Sequence, residues 1–398
     1  MPEEPQLRQP PLVASLLTGL IADAGSLAMQ AHALLSPVAD RKSDLRTALL
    51  GEGQIIRFDA ATPATVSLAA VDGGSVKETL YAADLLIAVG ASASGMHTDE
   101  TIPLGHRHFT VVRQHVSEND RLLSAAMASL ELCLLAELVH DLRILDGSHT
   151  TPIIALSTAL AARDPQVAAA AAELVTDEVI AAVAALADPR RRPTGGNIVA
   201  LPKADSSHAF TDLYRRRYGL DLPGGDRFMA AQVLEPGEML YPRPAAEITQ
   251  LHFPIADDAA PAVRKAATAL DRAVSPLRDA AQQRRLLVSY LKPTSADTVI
   301  KMEFRVSEPL IAPGEPGVPV DEAADLAKIL SDETPGPFMQ EPFAQYAVDV
   351  AAKSVSVGAN AVKEAMLGRL PDGGAGYASL LARSYRTASV KPAAPAPR

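Results

Sequence analysis

The feature that most narrows the possible folds is the order in which patterned segments follow one another. Between residues 53 and 116 lie four β-type runs, GQIIRFDA, TVSLAAVDGG, YAADLLIAVGASASG and HRHFTVVRQHV, rich in β-branched residues and separated by turn residues. Residues 118–142 then carry a strong amphipathic helical pattern, and RILDGS reads as a short buried strand ending in a turn. Residues 153–187 are alanine-rich and helical, and NIVALPKADSS leaves a Pro/Gly loop as a further strand. RLLVSYLKP and DTVIKMEFRV read as two strands around a turn, and helical stretches at 321–332 and about 342–368 follow. Strands, helix, strand, helix, strand, then helices predict a mixed α/β sheet with helices on its faces.

Around that core, residues 1–50 read as an N-terminal segment, helical from residue 12, and residues 205–290 as an inserted middle section. Residues 371–398 form a C-terminal region whose end, VKPAAPAPR, is of low complexity and expected to be disordered. No solenoid period is present. With 398 residues and 48% apolar content, the chain can bury a sizeable core in one large domain or two ordinary ones.

Charge and cysteine usage exclude several classes. A net charge of −10 argues against a wholly basic nucleic-acid coat protein, but metal-binding carboxylates are acidic themselves. The single cysteine, Cys133, rules out an intrachain disulfide and a thiolate zinc cluster; within LELCLLAEL it reads as a buried small hydrophobe, and a reducing cytoplasm fits. The start, MPEEPQLRQPP, has no basic segment leading into an apolar one, and no apolar run reaches membrane-spanning length, so no membrane association is expected. There is no GxxxxGK[ST] loop, no GxSxG elbow and no dinucleotide fingerprint in its strand–helix context.

Two of the apolar runs deliver an aspartate onto glycine and small residues: Val71-Asp72-Gly73-Gly74-Ser75 and Leu145-Asp146-Gly147-Ser148. A single Asp-Gly reads most simply as a turn. Two of them, each at the end of an apolar strand and with a carboxylate-bearing helix between, point to strand-end carboxylates converging at one sheet edge. Carboxylates a few ångströms apart repel unless a divalent cation lies between them, and the small residues after each Asp would let a nucleic-acid backbone approach. That is the layout of metal-assisted phosphodiester hydrolysis.

These motifs resemble the NurA nucleases, RNase H-like enzymes that work with the HerA hexameric ATPase in processing DNA ends. The resemblance runs in order across roughly residues 40–365. It includes the two Asp-Gly motifs, a Glu in the helix between them, Leu201-Pro202-Lys203-Ala204-Asp205-Ser206, the Tyr290-Leu291-Lys292 strand and the Pro342-led helix. It implies that Asp72, a helix Glu and Asp146 hold manganese or magnesium. Glu131, set among apolar neighbours where an ionised carboxylate needs a partner, is favoured over Glu137, which fits a surface salt bridge better. The C-terminal motif departs from the family: it reads GPFMQEPFAQYAVDVAAKSV, with Asp349 in place of a His, and Asp349 is either the last ligand or a helix residue paired with Lys353. Lys203 is a candidate phosphate contact or an exposed loop lysine. Arg190-Arg191-Arg192 and Arg215-Arg216-Arg217 are local basic patches, and His97, His106, His108 and His115 lack zinc spacing and read as structural or surface residues.

The expectation is thus a DNA nuclease in which Asp72, Glu131, Asp146 and Asp349 hold two divalent ions, with a HerA-like hexameric ATPase as partner, a homodimer through the N-terminal helices, and a role in DNA repair or phage defence. Two rivals remain: a catalytically inactive NurA-like adaptor that docks on an ATPase, and a small-molecule hydrolase on a similar sheet.

Overall fold

The structure is a computed structural model. It describes residues 11–58, 66–97, 105–187, 197–203, 208–219, 225–245, 258–310 and 317–370, with a few single residues between 248 and 256. Residues 1–10, the Arg190-Arg191-Arg192 loop, Asp205 to Ser207 and the tail 371–398 lie outside the described residues.

Three helices come first: α1 (Pro11–Ala22), α2 (Ala24–Ala39) and α3 (Lys42–Gly51). The strands β1 (Ile55–Arg57), β2 (Leu68–Thr79), β3 (Asp84–Ser94) and β4 (Gly105–Arg113) follow, then α4 (Asn119–Glu137) and β5 (Leu142–Asp146). Next are α5 (Thr151–Leu160), α6 (Pro165–Leu174), α7 (Asp177–Ala187), β6 (Asn197–Leu201), α8 (Ala209–Tyr218) and α9 (Asp226–Val233). The chain continues through β7 (Glu238–Leu240), β8 (Arg243–Pro244), α10 (Pro261–Gln282), β9 (Leu286–Lys292), β10 (Ile300–Arg305), α11 (Val318–Asp332), α12 (Phe343–Lys353) and α13 (Val355–Leu367).

The chain divides into two units. One contains α1, α2, α3, α8 and α9; the other contains every strand and the remaining helices. The 205–290 section is therefore not one insertion. Residues 208–233 join the N-terminal helices, whereas β7 and β8 enter the main sheet and α10 covers it. Within the first unit, the buried Asp226 carboxylate accepts from the Phe210 and Thr211 backbone amides, tying α9 to the start of α8. Arg215, Arg216 and Arg217 occupy the last turn of α8, where basic side chains complement the helix dipole; Arg217 pairs with Glu52 at 2.9 Å.

The sheet runs β1-β7-β9-β10-β6-β5-β2-β3-β4, with β8 also pairing β9. Toward one edge β2, β3 and β4 form an antiparallel meander with β4 outermost, β5 lies parallel to β2, and β6 lies parallel to β5. That is an RNase H-like arrangement: three meandering strands, then two more added parallel to the first across a helical crossover. The alternation of side chains along each strand separates two cores. On one face Val71, Leu145 and Ala200 meet α4, α5, α6, α7 and α10; on the other Ala70, Ile144, Val199 and Leu201 meet α11 and α12. Each fully buried Leu, Ile or Val on these faces contributes about 1.5–3 kcal/mol. Arg143, fully buried on β5, reaches the Leu135 carbonyl in the last turn of α4 and helps set that helix on the sheet.

One expectation fails in an informative way. β2 does not stop at Gly73-Gly74. It continues to Thr79, and the reversal into β3 comes at Leu80–Ala83, where the Leu80 amide donates to the Ala83 carbonyl at 2.8 Å. Asp72 is thus a mid-strand residue. Among the described residues no helix is long and apolar enough to cross a membrane.

Candidate active site

Register brings the two motif aspartates together. β2 and β5 pair in parallel with Val71 opposite Leu145, so the next step along each strand sets Asp72 beside Asp146. β5 pairs β6 with Asp146 opposite Leu201, and Lys203 lies two residues beyond. Asp72 shares the strand face of Ala70, Asp146 that of Ile144 and Lys203 that of Leu201, so all three project toward the layer that contains α12. From that layer comes Asp349. One carboxylate oxygen from each of Asp72, Asp146 and Asp349 lies within 4.8 Å of the others.

The glycines after Asp72 explain how helices reach this point. A Cβ at Gly73 would lie 2.3 Å from Glu131 Oε1 and 2.5 Å from Met127 Cγ, so glycine lets these two α4 side chains lie against β2 on that face. One step on, a Cβ at Gly74 would lie 2.2 Å from the Ala352 carbonyl oxygen, so only glycine lets the end of α12 approach on the other face. The expectation that these small residues make room for a nucleic-acid backbone is therefore corrected: they make room for the chain's own helices. Gly147 differs. Its φ of +93° makes Asp146-Gly147 a true turn, closed by Ser148 and Thr151 hydroxyl contacts at the start of α5.

Lys203 ties the cluster together. Its Nζ lies 3.1 Å from Asp146, 2.9 Å from Asp349 and 3.2 Å from Glu341. Asp349 also pairs with Lys353 at 2.6 Å, so it both lies in the carboxylate group and pairs along its helix. Gln345, only 1% exposed on α12, donates to Asp146 Oδ1 at 2.7 Å and to the Leu201 carbonyl at 3.3 Å. Glu341 and Gln345 were not singled out by sequence. The available signals were weak: a Glu before a helix-starting Pro, and a polar residue on the α12 face beside Ala344 and Val348.

Glu131 lies on α4, across β2 from Asp72 and against Gly73, and is 6% exposed. It is outside the convergent set of three, yet close enough that the charges of Asp72 and Asp146 act on it. Glu137 sits elsewhere, in ion pairs that Arg107 makes with it and with Glu178. His106 and His108 alternate on the exposed side of β4, and His115 Nδ1 lies 2.9 Å from Asp84. Among the described residues none of these histidines joins the carboxylates.

The electrostatics reflect crowded negative charge. Burial, and then the Asp146 carboxylate, push Asp72 up to about 8, partly offset by Lys203 and the Gly73 amide. Burial, then Asp72 and Asp146, hold Glu131 well above the usual carboxylate range. Burial also raises Glu341, against the pull of Lys203. Burial likewise pushes Asp349 up, but Lys353 and Lys203 outweigh it and hold Asp349 down. An oxygen-only donor set, in which burial and the Asp146 charge hold Asp72 back from ionising, fits a hard divalent cation such as magnesium or manganese.

No family model matches the chain, and no curated protein matches it. Solved structures do. The NurA nuclease from Sulfolobus solfataricus is 14% identical, with 88% of this chain and 98% of that chain covered at a TM-score of 0.49. NurA bound to dAMP and manganese is 11% identical over 88% and 98%, at 0.43. The endonuclease V of Bacillus subtilis is 9% identical over 79% and 90%, at 0.32. These are distant likenesses, all below 0.5 in TM-score.

Proposed function

We propose that this protein is a metal-dependent DNA nuclease that hydrolyses phosphodiester bonds at DNA ends. The observation that carries the reading is the meeting of Asp72, Asp146 and Asp349, drawn from two parallel strands and a helix, within 4.8 Å. These three would hold manganese or magnesium, with Glu131 behind Asp72 across β2. Such a cation, when bound, activates water and offsets charge that builds on the phosphate.

The chain's own residues have separable tasks. Gln345 fixes the Asp146 carboxylate by donating to Oδ1, and so sets which lone pairs face the site. Lys203 places an ammonium among Asp146, Asp349 and Glu341, where it can meet a non-bridging phosphate oxygen as a point charge. Asp72 must shed its proton to serve as a ligand.

The wider assignment extends this reading. The chain has no P-loop, so DNA translocation would come from a separate ATPase of the HerA type. Leu16, Leu17, Leu20, Ile21 and Leu27 of α1 and α2 are more than half exposed, which suits a homodimer contact. A cytoplasmic role in DNA-end repair or phage defence accords with the single cysteine.

The adaptor reading has one observation in its favour: Lys203 already satisfies three carboxylates, as a purely structural ion cluster would. Substitution separates the two. Asp146→Ala should remove manganese-dependent cleavage of linear DNA while circular dichroism stays unchanged. Wild-type protein that cleaves no DNA across a manganese and magnesium titration would leave the adaptor.

A further inference from the structure

Among the described residues three aromatic side chains are more than half exposed: Tyr81 at 61%, Phe338 at 95% and Tyr346 at 51%. Tyr81 lies in the turn between β2 and β3. The other two precede Asp349 in sequence, Phe338 in the loop that leads to Glu341 and Tyr346 on α12 itself. Phe338 stands three residues before Glu341, in the turn that Gly336 opens with φ +81°. The far end of that loop is pinned where Glu341 meets Lys203 and where the Phe343 amide donates to the Glu333 carbonyl at 2.7 Å. The exposure of Phe338 is thus presented by a held loop.

Tyr346 stands one helical turn before Asp349. Positions 346, 349, 350 and 353 fall on one face of α12, so Tyr346, Asp349, Val350 and Lys353 form a single ridge. Tyr346 and Asp349 are about 4.5 Å apart along the axis, and Tyr346 and Lys353 about 10 Å. The ridge thus offers a ring, then a carboxylate of the convergent set, then an apolar contact and an ammonium. Large aromatics left in water forgo the gain that burial would bring. Tyr346 one turn from Asp349, and Phe338 in the loop whose end Glu341 ties to Lys203, call for an occupant that brings both a flat apolar face and a phosphate.

We propose that Phe338 and Tyr346 are a stacking platform for unpaired bases at the end of the strand whose phosphate reaches Asp72, Asp146 and Asp349. This rests on the nuclease reading and adds to it a substrate form: the reacting end must be single-stranded over the platform. Inside a duplex both faces of each base are covered by stacked neighbours and only the outer face of the terminal pair is open, whereas successive unpaired bases can each stack on an aromatic ring whatever their identity. Lys353 and Lys203 lie on the ridge and beside it, suited to the backbone phosphates of the same strand.

Two substrates and one binding assay test this. Hydrolysis is measured with manganese on a single-stranded oligodeoxynucleotide and on an abasic strand of tetrahydrofuran residues, which has no base to stack. Binding of a fluorescein-labelled oligodeoxynucleotide is measured by anisotropy in EDTA. Tyr346→Ala and Phe338→Ala should each raise KM for the oligonucleotide about tenfold and weaken its binding similarly, within the range of base stacking. Turnover of the abasic strand should stay within about twofold, and Tyr346→Phe should restore the oligonucleotide KM. Unchanged oligonucleotide KM and binding in both alanine variants overturns the platform; a protein-docking role for the same face would give that result. An equal loss on both substrates also overturns it, because the aromatics would then be supporting the site's structure. Wild-type protein that hydrolyses neither substrate, yet binds the oligonucleotide through Tyr346, overturns the nuclease reading and keeps the platform.

Discussion

The two Asp-Gly sites look alike in sequence and differ in kind. At Asp146-Gly147 the glycine serves the backbone, since φ is +93° and the strand ends there. At Asp72-Gly73-Gly74 the strand runs on, and each glycine serves packing, one for α4 and the other for α12. The first glycine shapes a turn; the second and third let helices from opposite faces of the sheet come close to one aspartate. Glycine at the second site is therefore a requirement of tertiary structure, and the site depends on helices far away in sequence.

Substitutions should separate the two sites in graded fashion. Gly74→Ala meets a backbone oxygen, which cannot rotate away, so it should displace α12, cost about 3 kcal/mol by chemical denaturation, and remove Asp349 from the cluster. Gly73→Ala meets the ends of Glu131 and Met127, which can move, so about 1–2 kcal/mol is expected, with Glu131 turned away from Gly73. Gly147→Ala should cost about 1 kcal/mol through its left-handed backbone, and Gly147→Asn less. If all three cost the same, the distinction between the sites is wrong.

pH offers a finer test of the Asp72 side. Asp72 has a folded pKa of about 8 against an ordinary 3.8, so between these values the folded protein holds a proton that the unfolded chain releases. Its contribution to stability is full below about pH 4 and is lost as pH rises toward 8. The melting temperature of Asp72→Asn relative to wild type, both metal-free, should therefore increase from pH 5 to pH 8 and level off above about 8. Glu131 acts in the same direction. The stabilisation given by added manganese should grow across the same window, because binding requires the ionised form. The smallest effect belongs outside both sites: Glu137→Gln, in a half-exposed pair with Arg107, should change stability by no more than about 1 kcal/mol.

Sequence patterning carried some of this architecture and not the rest. The central strands were legible because β-branched and apolar runs alternate with turn residues. The adjacency of Asp72 and Asp146 was legible because both follow apolar strand runs. The continuation of β2 was not, since Gly-Gly is ordinarily a stop and only the packed helices show why it is not one here. β7 and β8 were hidden because three- and two-residue strands, Glu238–Leu240 and Arg243–Pro244, carry no periodicity. Asp349 could be singled out on its helix, but its approach to Lys203 and Asp146 depends on where α12 crosses the sheet. Glu341 and Gln345 depend on that same crossing.

The central claim is that Asp72, Asp146 and Asp349 hold a divalent cation together. Crystals soaked in manganese and measured at its absorption edge test it most directly. An anomalous peak bridging the Asp72 and Asp146 carboxylates, absent from Asp146→Asn crystals soaked identically, is the predicted result. No peak at these carboxylates, with Lys203 Nζ still seated between Asp146 and Asp349, would contradict it.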